Sequence, residues 1–433
     1  MGYTDANFWR PTSVTDPTTA DTSISYFTSP TAASSQLNFN GGASTSDTRI
    51  TLDGLGRTHV SQTERGPGSS YDSVETDHDA LGRVSRVTVP YTGSAGQTNS
   101  TAPATTTTYD ALSRPLVITD GGGGTATYSY TQNDALVTIN APSGEHSKIR
   151  QLEYDGLGRL KSVCEVTAMS GSGSCGQTVS QTGYLTKYTY DVNNNILTVT
   201  QNAQSSSTQV RTYAYDGLSR LTSEANPETT GTAVTYTYDT DSTCGTSHGD
   251  LVKKIDAVGN VICSAYDALH RNTSITYPSG SYASVTPSKT FVYDAATVNS
   301  VAMAYAKGRL AEAYTGSSKT TDLGFSYSVR GEIANVYQSS PHSGGYYNVA
   351  ATYWANGLLN TLNANLSGIP TWTYVPDGEG RVDTVTFPTN QYLVSGTSYN
   401  GFSQPTSVSY GSQEMRHPVA RKNRHFAHAG RQP

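Results

Sequence analysis

The stretch Tyr154-Asp155-Gly156-Leu157-Gly158-Arg159-Leu160 returns as Tyr109-Asp110-Ala111-Leu112-Ser113-Arg114-Pro115, as Tyr215-Asp216-Gly217-Leu218-Ser219-Arg220-Leu221 and as Tyr266-Asp267-Ala268-Leu269-His270-Arg271-Asn272. Looser copies are Leu52-Asp53-Gly54-Leu55-Gly56-Arg57, His78-Asp79-Ala80-Leu81-Gly82-Arg83, Tyr190-Asp191-Val192-Asn193-Asn194-Asn195-Ile196 and Tyr399-Asn400-Gly401-Phe402-Ser403-Gln404-Pro405. The aspartates at 191, 216, 239, 267 and 294 are separated by 25, 23, 28 and 27 residues. A period in the twenties marks a repeat protein whose irregular insertions fall in loops.

Each copy has a local physical reading. Ahead of the Tyr-Asp pair stands a segment that alternates Thr or Ala with Tyr, such as Thr125-Ala126-Thr127-Tyr128-Ser129-Tyr130 or Ala233-Val234-Thr235-Tyr236-Thr237-Tyr238. A period of two puts the aromatic rings on one face of a strand and the Thr side chains on the other. The Asp-x-Leu-Gly-Arg segment is a turn, because Asp bonds its own downstream backbone N–H groups and Gly adopts a positive φ freely. A second strand follows, as in Leu160-Lys161-Ser162-Val163-Cys164-Glu165-Val166. Strand, turn and strand make a β-hairpin. One hairpin alone is marginal in water, so successive hairpins are expected to pair edge to edge and bury a continuous Tyr/Leu face. The Ala-rich Val301-Ala302-Met303-Ala304-Tyr305-Ala306 is read as one helical turn at most.

Composition agrees with an all-β chain. Of the 433 residues only 14% are charged, against about a quarter in an ordinary soluble domain. Counting Gly in place of Tyr puts the apolar fraction at roughly 37%, below the typical 45–50%, which excludes a large Leu/Ile/Val core. A net charge of -6 together with 30 Tyr also argues against disorder, which goes with high net charge and few aromatics. No stretch approaches the roughly 18 apolar residues of a membrane span, and the N-terminus lacks the basic and apolar regions of a signal peptide.

Tyr-Asp-x-Leu-Gly-Arg-Leu at these spacings resembles the YD repeat of Rhs proteins, found also in teneurins and in the shell subunits of ABC-type toxin complexes. The resemblance covers nearly the whole chain. It implies residues 1–413 as the repeat array, wound as a curved or spiralling sheet that is an open segment of a hollow shell, and residues 414–433 as a basic, disordered tail. It implies a non-catalytic structural and interaction role in a secreted or cell-surface bacterial protein. Its partners would be the rest of a larger Rhs-type polypeptide and an enclosed C-terminal cargo or toxin. A carbohydrate-binding adhesion module is the alternative, with cell-surface glycans as partners, and a glycan-active enzyme ranks behind it. Neither nucleic acid, cofactor nor metal is expected. The family's closing core, with its Asp-Pro-x-Gly-Leu-like self-cleavage motif, has no counterpart here, so the chain reads as an interior piece.

The motif residues Tyr109, Asp110, Arg114, Tyr154, Asp155, Gly158, Arg159, Tyr215, Asp216, Arg220, Tyr266, Asp267 and Arg271 are assigned structural roles. A glycosidase needs two carboxylates around one cleft, whereas these recur along the chain. The Tyr residues are expected to pack between strands, with a few free to stack on sugars. Gly171-Ser172-Gly173-Ser174-Cys175-Gly176 matches G-x-G-x-x-G but opens no helix, and is read as a hairpin tip. Gly121–Gly124 is likewise a turn. Cys164, Cys175, Cys244 and Cys263 lack zinc-site spacing. Cys164 with Cys175, and Cys244 with Cys263, are the favoured disulfides of the three possible pairings, which would imply an oxidising compartment. His417, His425 and His428 lie in the tail, which holds five of the 28 Lys and Arg residues in its last 18 positions. It is read as a bland extension, not a nucleic-acid arm.

Overall fold

The computed structural model describes residues 1–4, 9–66, 68, 70–169, 175, 182–229, 231–388, 391–411 and the backbone of 413–416. The tail from 417 and most of the Gly171–Gly176 stretch lie outside the described residues. Thirty-three strands form one antiparallel sheet, and Thr297–Val298 with Val301–Ala302 form a separate two-stranded ribbon. Nearly every strand pairs with its neighbours in sequence, from Ser13–Thr15 to Gln413–Arg416. At two places the chain leaves the meander and returns. Tyr71–His78 pairs with Tyr91–Gly93 through one half and with Val84–Thr88 through the other. Lys289–Tyr293 pairs with Leu310–Thr315 across the insertion that holds the small ribbon. Val301–Ala306, read from sequence as a helical turn, instead contributes the strand Val301–Ala302 and a turn. Pairing with Thr297–Val298 satisfies its backbone better than one isolated helical turn would, since a helix nucleus is costly.

Hairpins built on the Tyr-Asp motif carry an irregularity that the repeat pattern does not announce, whereas those closed at 120–124 and 256–260 pair without one. Tyr154 pairs with Leu160 but Glu153 pairs with Ser162, which leaves Lys161 as a β-bulge. The same step leaves Thr222 between Leu221 and Ser223, Thr273 between Asn272 and Ser274, and His59 between Thr58 and Val60. A bulge bends its strand and sharpens the local right-handed twist. A bulge at each of these motif hairpins bends the sheet again and again.

The accumulated curvature brings the sheet back upon itself without closing it by strand pairing. Turns near the C-terminal end of the array rest on the opposite edge of the N-terminal strands. The Thr45 N–H donates to the Gly378 carbonyl at 2.9 Å, and Ser44 Oγ donates to the Asp377 carbonyl at 2.8 Å. Phe39 and Trp354 meet with ring centroids 6.3 Å apart, and Arg330 Nη1 lies 3.3 Å from Asp16 Oδ2. Gly66, at φ +76°, approaches so closely that a Cβ there would stand 3.3 Å from Gly378 Cα. The sheet is thus a spiral whose two ends share a seam.

The buried apolar residues fall in small groups. One is Val298, Met303, Ala306 and Ala311 under the insertion. Another is Cys164, Cys175 and Leu185. Cys164 is bonded to Cys175 and Cys244 to Cys263, with Cα atoms 5.8 and 5.0 Å apart. The expected burial of a Tyr/Leu face needs correction. Most Tyr rings along the strands are partly covered, with Tyr184, Tyr347, Tyr392 and Tyr410 exposed, but the motif leucines sit in the turns, beyond the strand ends. The third turn residue is 79% exposed at Leu55, 76% at Leu157 and 81% at Val258.

Candidate functional site

The repeated feature of the surface is the rim formed by the Asp-x-x-x-Arg turns. In each turn the Asp carboxylate accepts three hydrogen bonds. At Asp110, Oδ1 takes the N–H groups of Leu112 and Arg114 at 2.8 and 2.9 Å, and Oδ2 takes Arg114 Nε at 2.7 Å. Asp155, Asp216 and Asp267 repeat this, each with its Arg Nε at 2.7 Å. The backbone closes the turn from both sides, the Asp155 N–H to the Arg159 carbonyl and the Gly158 N–H to the Asp155 carbonyl, both at 2.9 Å. The fourth position needs a positive φ: Gly158 lies at 78°, Ser113 at 64°, Ser219 at 62° and His270 at 61°. Gly meets this without cost, and polar side chains tolerate it.

The arginine also reaches the next hairpin, a role not evident from sequence. Arg83 Nη1 donates to the Asp110 carbonyl at 2.9 Å, and Arg159 Nη1 to the Asp191 carbonyl at 3.0 Å. Arg220 and Arg271 pair with the carboxylates of Asp239 and Asp294, each at 2.7 Å. The guanidinium lies over the next Tyr ring: Arg83 over Tyr109 at 4.6 Å, Arg114 over Tyr130 at 4.1 Å and Arg271 over Tyr293 at 4.5 Å. That Tyr hydroxyl donates back to the carbonyl that follows the arginine, Tyr109 to Val84 at 2.7 Å and Tyr293 to Asn272 at 3.0 Å. Tyr266 bonds the Leu251 carbonyl at 3.0 Å, where Asp250 stands in the arginine's place. Asp, Arg and the following Tyr therefore make a clip that staples one hairpin to the next. The signal was present in the sequence as an Arg in each motif followed one hairpin later by a Tyr.

The clip decides the charge state of the rim. Hydrogen bonds first from the Arg57 N–H and then from its side chain hold Asp53 down to about 2. The Arg220 and Arg271 side chains do the same for Asp239 and Asp294, each lowered to about 2. A carboxylic acid that delivers a proton to a leaving group needs the opposite shift. The acid pushed up furthest is Asp47, raised to about 6 by burial and then by the nearby charge of Glu64. It is enclosed within the sheet near the seam.

One cleft of about 430 Å³ opens between adjacent hairpins. Its walls carry Tyr128, Tyr130 and Tyr154, with Arg114, Gln132 and Asn133 as polar groups. Of the motif residues, Arg114, Tyr154, Asp155 and Gly158 converge there. Those of the 215–220 and 266–271 turns stand elsewhere along the rim.

No family model and no curated protein matches the chain. Among solved structures it is similar to a crystal structure of TcdB2-TccC3-Cdc42, at 12% identity and a TM-score of 0.69, over 89% of this chain and 21% of that one. TcdB2-TccC3 without its hypervariable C-terminal region gives the same identity and score over 89% and 20%. A Tc holotoxin pore of Photorhabdus luminescens matches at 13% identity and a TM-score of 0.68, over 88% and 20%. The chain spans about a fifth of the length of these structures. Its sheet has the fold of the TcdB2-TccC3 chains.

Proposed function

We propose that the chain forms part of the wall of a secreted or surface-exposed bacterial YD-repeat polypeptide, and that this wall encloses a cargo segment of the same polypeptide. The seam carries the reading. A sheet that bends at its motif hairpins and comes to rest on its own opposite edge has the curvature a hollow wall needs. The motif residues serve that wall as clips between hairpins, with no catalytic part. The partners are the remainder of the longer polypeptide and its cargo, as the TcdB2-TccC3 likeness suggests. Two cystines fit an oxidising compartment; thiol titration of denatured, unreduced protein is expected to find none of the four cysteines free. No helix among the described residues is long and apolar enough to cross a membrane.

The test is to sequence the coding locus past both ends and express the whole frame under protease challenge. Survival of a C-terminal segment that is digested when free supports enclosure. Digestion at the same rate in both contexts ends it.

A second reading rests on the cleft. Three Tyr rings with Gln132, Asn133 and Arg114 suit a sugar ring, whose faces are apolar and whose rim is hydroxylated. Binding on a glycan array that is lost in both Tyr128→Ala and Tyr154→Ala favours this reading. Binding retained in both removes the cleft from it.

A further inference from the structure

The bulge that recurs in the motif hairpins falls on His59 in the strand Thr58–Glu64. Next to it lies the strand Tyr71–His78, where Glu75 pairs with Val60 and Asp77 stands one pleat further on. A bulge re-aims a side chain, and here the imidazole meets both carboxylates. His59 Nε2 is 3.3 Å from Asp77 Oδ1 and 3.4 Å from Glu75 Oε1. All three atoms lie within 4.8 Å of one another.

The other oxygen of each carboxylate is already held. Glu75 Oε2 accepts the Asn99 N–H at 2.8 Å and has Arg86 Nη1 at 3.5 Å. Asp77 Oδ2 accepts Arg86 Nη1 at 2.9 Å. This is the arrangement of monodentate ligands oriented by outer partners. The two distances from His59 also fit. Ligand bonds of about 2.0–2.2 Å to a tetrahedral ion give ligand–ligand edges of about 3.3–3.6 Å. Two carboxylates against one guanidinium leave negative charge for a cation to neutralise. Glu75 is buried, whereas the side chains of His59 and Asp77 are 31% and 34% exposed, which leaves a side open to water.

We propose that His59, Glu75 and Asp77 bind one divalent transition-metal ion, with a water molecule at the fourth position and Arg86 and Asn99 orienting the carboxylates. One imidazole nitrogen with two carboxylate oxygens suits Zn²⁺. The ion would tie the two strands together and, through Asn99, fasten the insertion that follows Val84–Thr88. The proposal is independent of whether the wall encloses a cargo.

The test uses Zn²⁺ alone, titrated by calorimetry into the full chain with His417, His425 and His428 changed to Ala so that the tail histidines do not compete. One Zn²⁺ per chain is expected. His59→Ala and Asp77→Asn should each weaken binding at least ~10-fold, while far-UV circular dichroism stays unchanged. Co²⁺ should give the visible absorption of a tetrahedral site in the parent and not in His59→Ala. Absence of saturable Zn²⁺ binding in the parent overturns the proposal. So does equal affinity in the parent and both variants.

Discussion

The same turn is built along the whole rim, but two stretches of that rim have different surroundings. From Asp53 to Arg271 the third turn residue is Leu or Val in the regular copies and points into solvent. At 328–332, 354–358 and 377–381 the corresponding residues are Arg330, Asn356 and Glu379, and this stretch lies at the seam. The backbone does not register the difference: the turn-closing bond is 2.7 Å from the Ser328 N–H to the Glu332 carbonyl and 2.9 Å from the Asp155 N–H to the Arg159 carbonyl. The turn is therefore a local object, indifferent to what covers it, and context is written at its third position. At the seam, where the next turn supplies carbonyls and the opposing edge a carboxylate, the third residue is polar. Arg330 donates to the Ala355 and Trp354 carbonyls at 2.7 Å each and pairs with Asp16. Where the rim is free, an apolar side chain stands unpacked.

Four measurements break or sharpen this contrast. The largest effect is expected at Phe39, which is buried and packs against Trp354 across the seam. Phe39→Ala should cost about 3–5 kcal/mol in urea unfolding; a loss below ~1 kcal/mol would mean the seam contributes little.

Arg330→Ala comes next, at about 2 kcal/mol, because a guanidinium with two carbonyl partners and a carboxylate is removed from a largely covered site. A change no larger than that of an exposed Arg on the free rim would erase the distinction between the two stretches.

The third measurement is pH. Asp53 sits on the free rim with its pKa lowered to about 2 from 3.8. Its stabilising contribution is complete above 3.8 and lost as pH falls toward about 2. Asp47, in the strand that opens at the seam, is raised from 3.8 to about 6. Ionising it in the fold is unfavourable, so stability is gained as pH falls from about 6 to about 4. The urea midpoint should rise on that first interval and fall below it, and Asp47→Asn should flatten the rise. A midpoint that only declines from pH 6 downward contradicts the assignment.

The smallest effect belongs to Leu157. On the free rim Leu157→Ala should change stability by no more than ~0.5 kcal/mol. A loss above ~1 kcal/mol would show that this rim is packed in solution.

The elements legible in the sequence are those whose bonds close over a few residues. Asp155 reaches the N–H groups two and four positions on, so the spacing of Asp, Gly and Arg is enough to announce the turn. Alternation of Thr with Tyr announces the strands on either side. The clip was half legible: the Asp–Arg half lies within one motif, but the Tyr that receives the guanidinium is a hairpin away. The bulge was not legible, since the bulged position holds Lys161, Thr222, Thr273 or His59 with no shared chemistry. The gathering of Tyr128, Tyr130 and Tyr154 around one cleft depends on how the two hairpins twist against each other.

By itself, then, the chain's sequence determined a run of turn-capped antiparallel hairpins, because every bond that defines them is short in sequence and recurs in each copy. Tertiary structure alone decided where the spiral meets itself, which turns are covered, why Asp47 is pushed up, and that His59 faces Glu75 and Asp77. Contacts such as Ser44 with Asp377 join residues 333 positions apart. Their partners are chosen by the curvature summed over all the bulges between them, a quantity that no single motif contains.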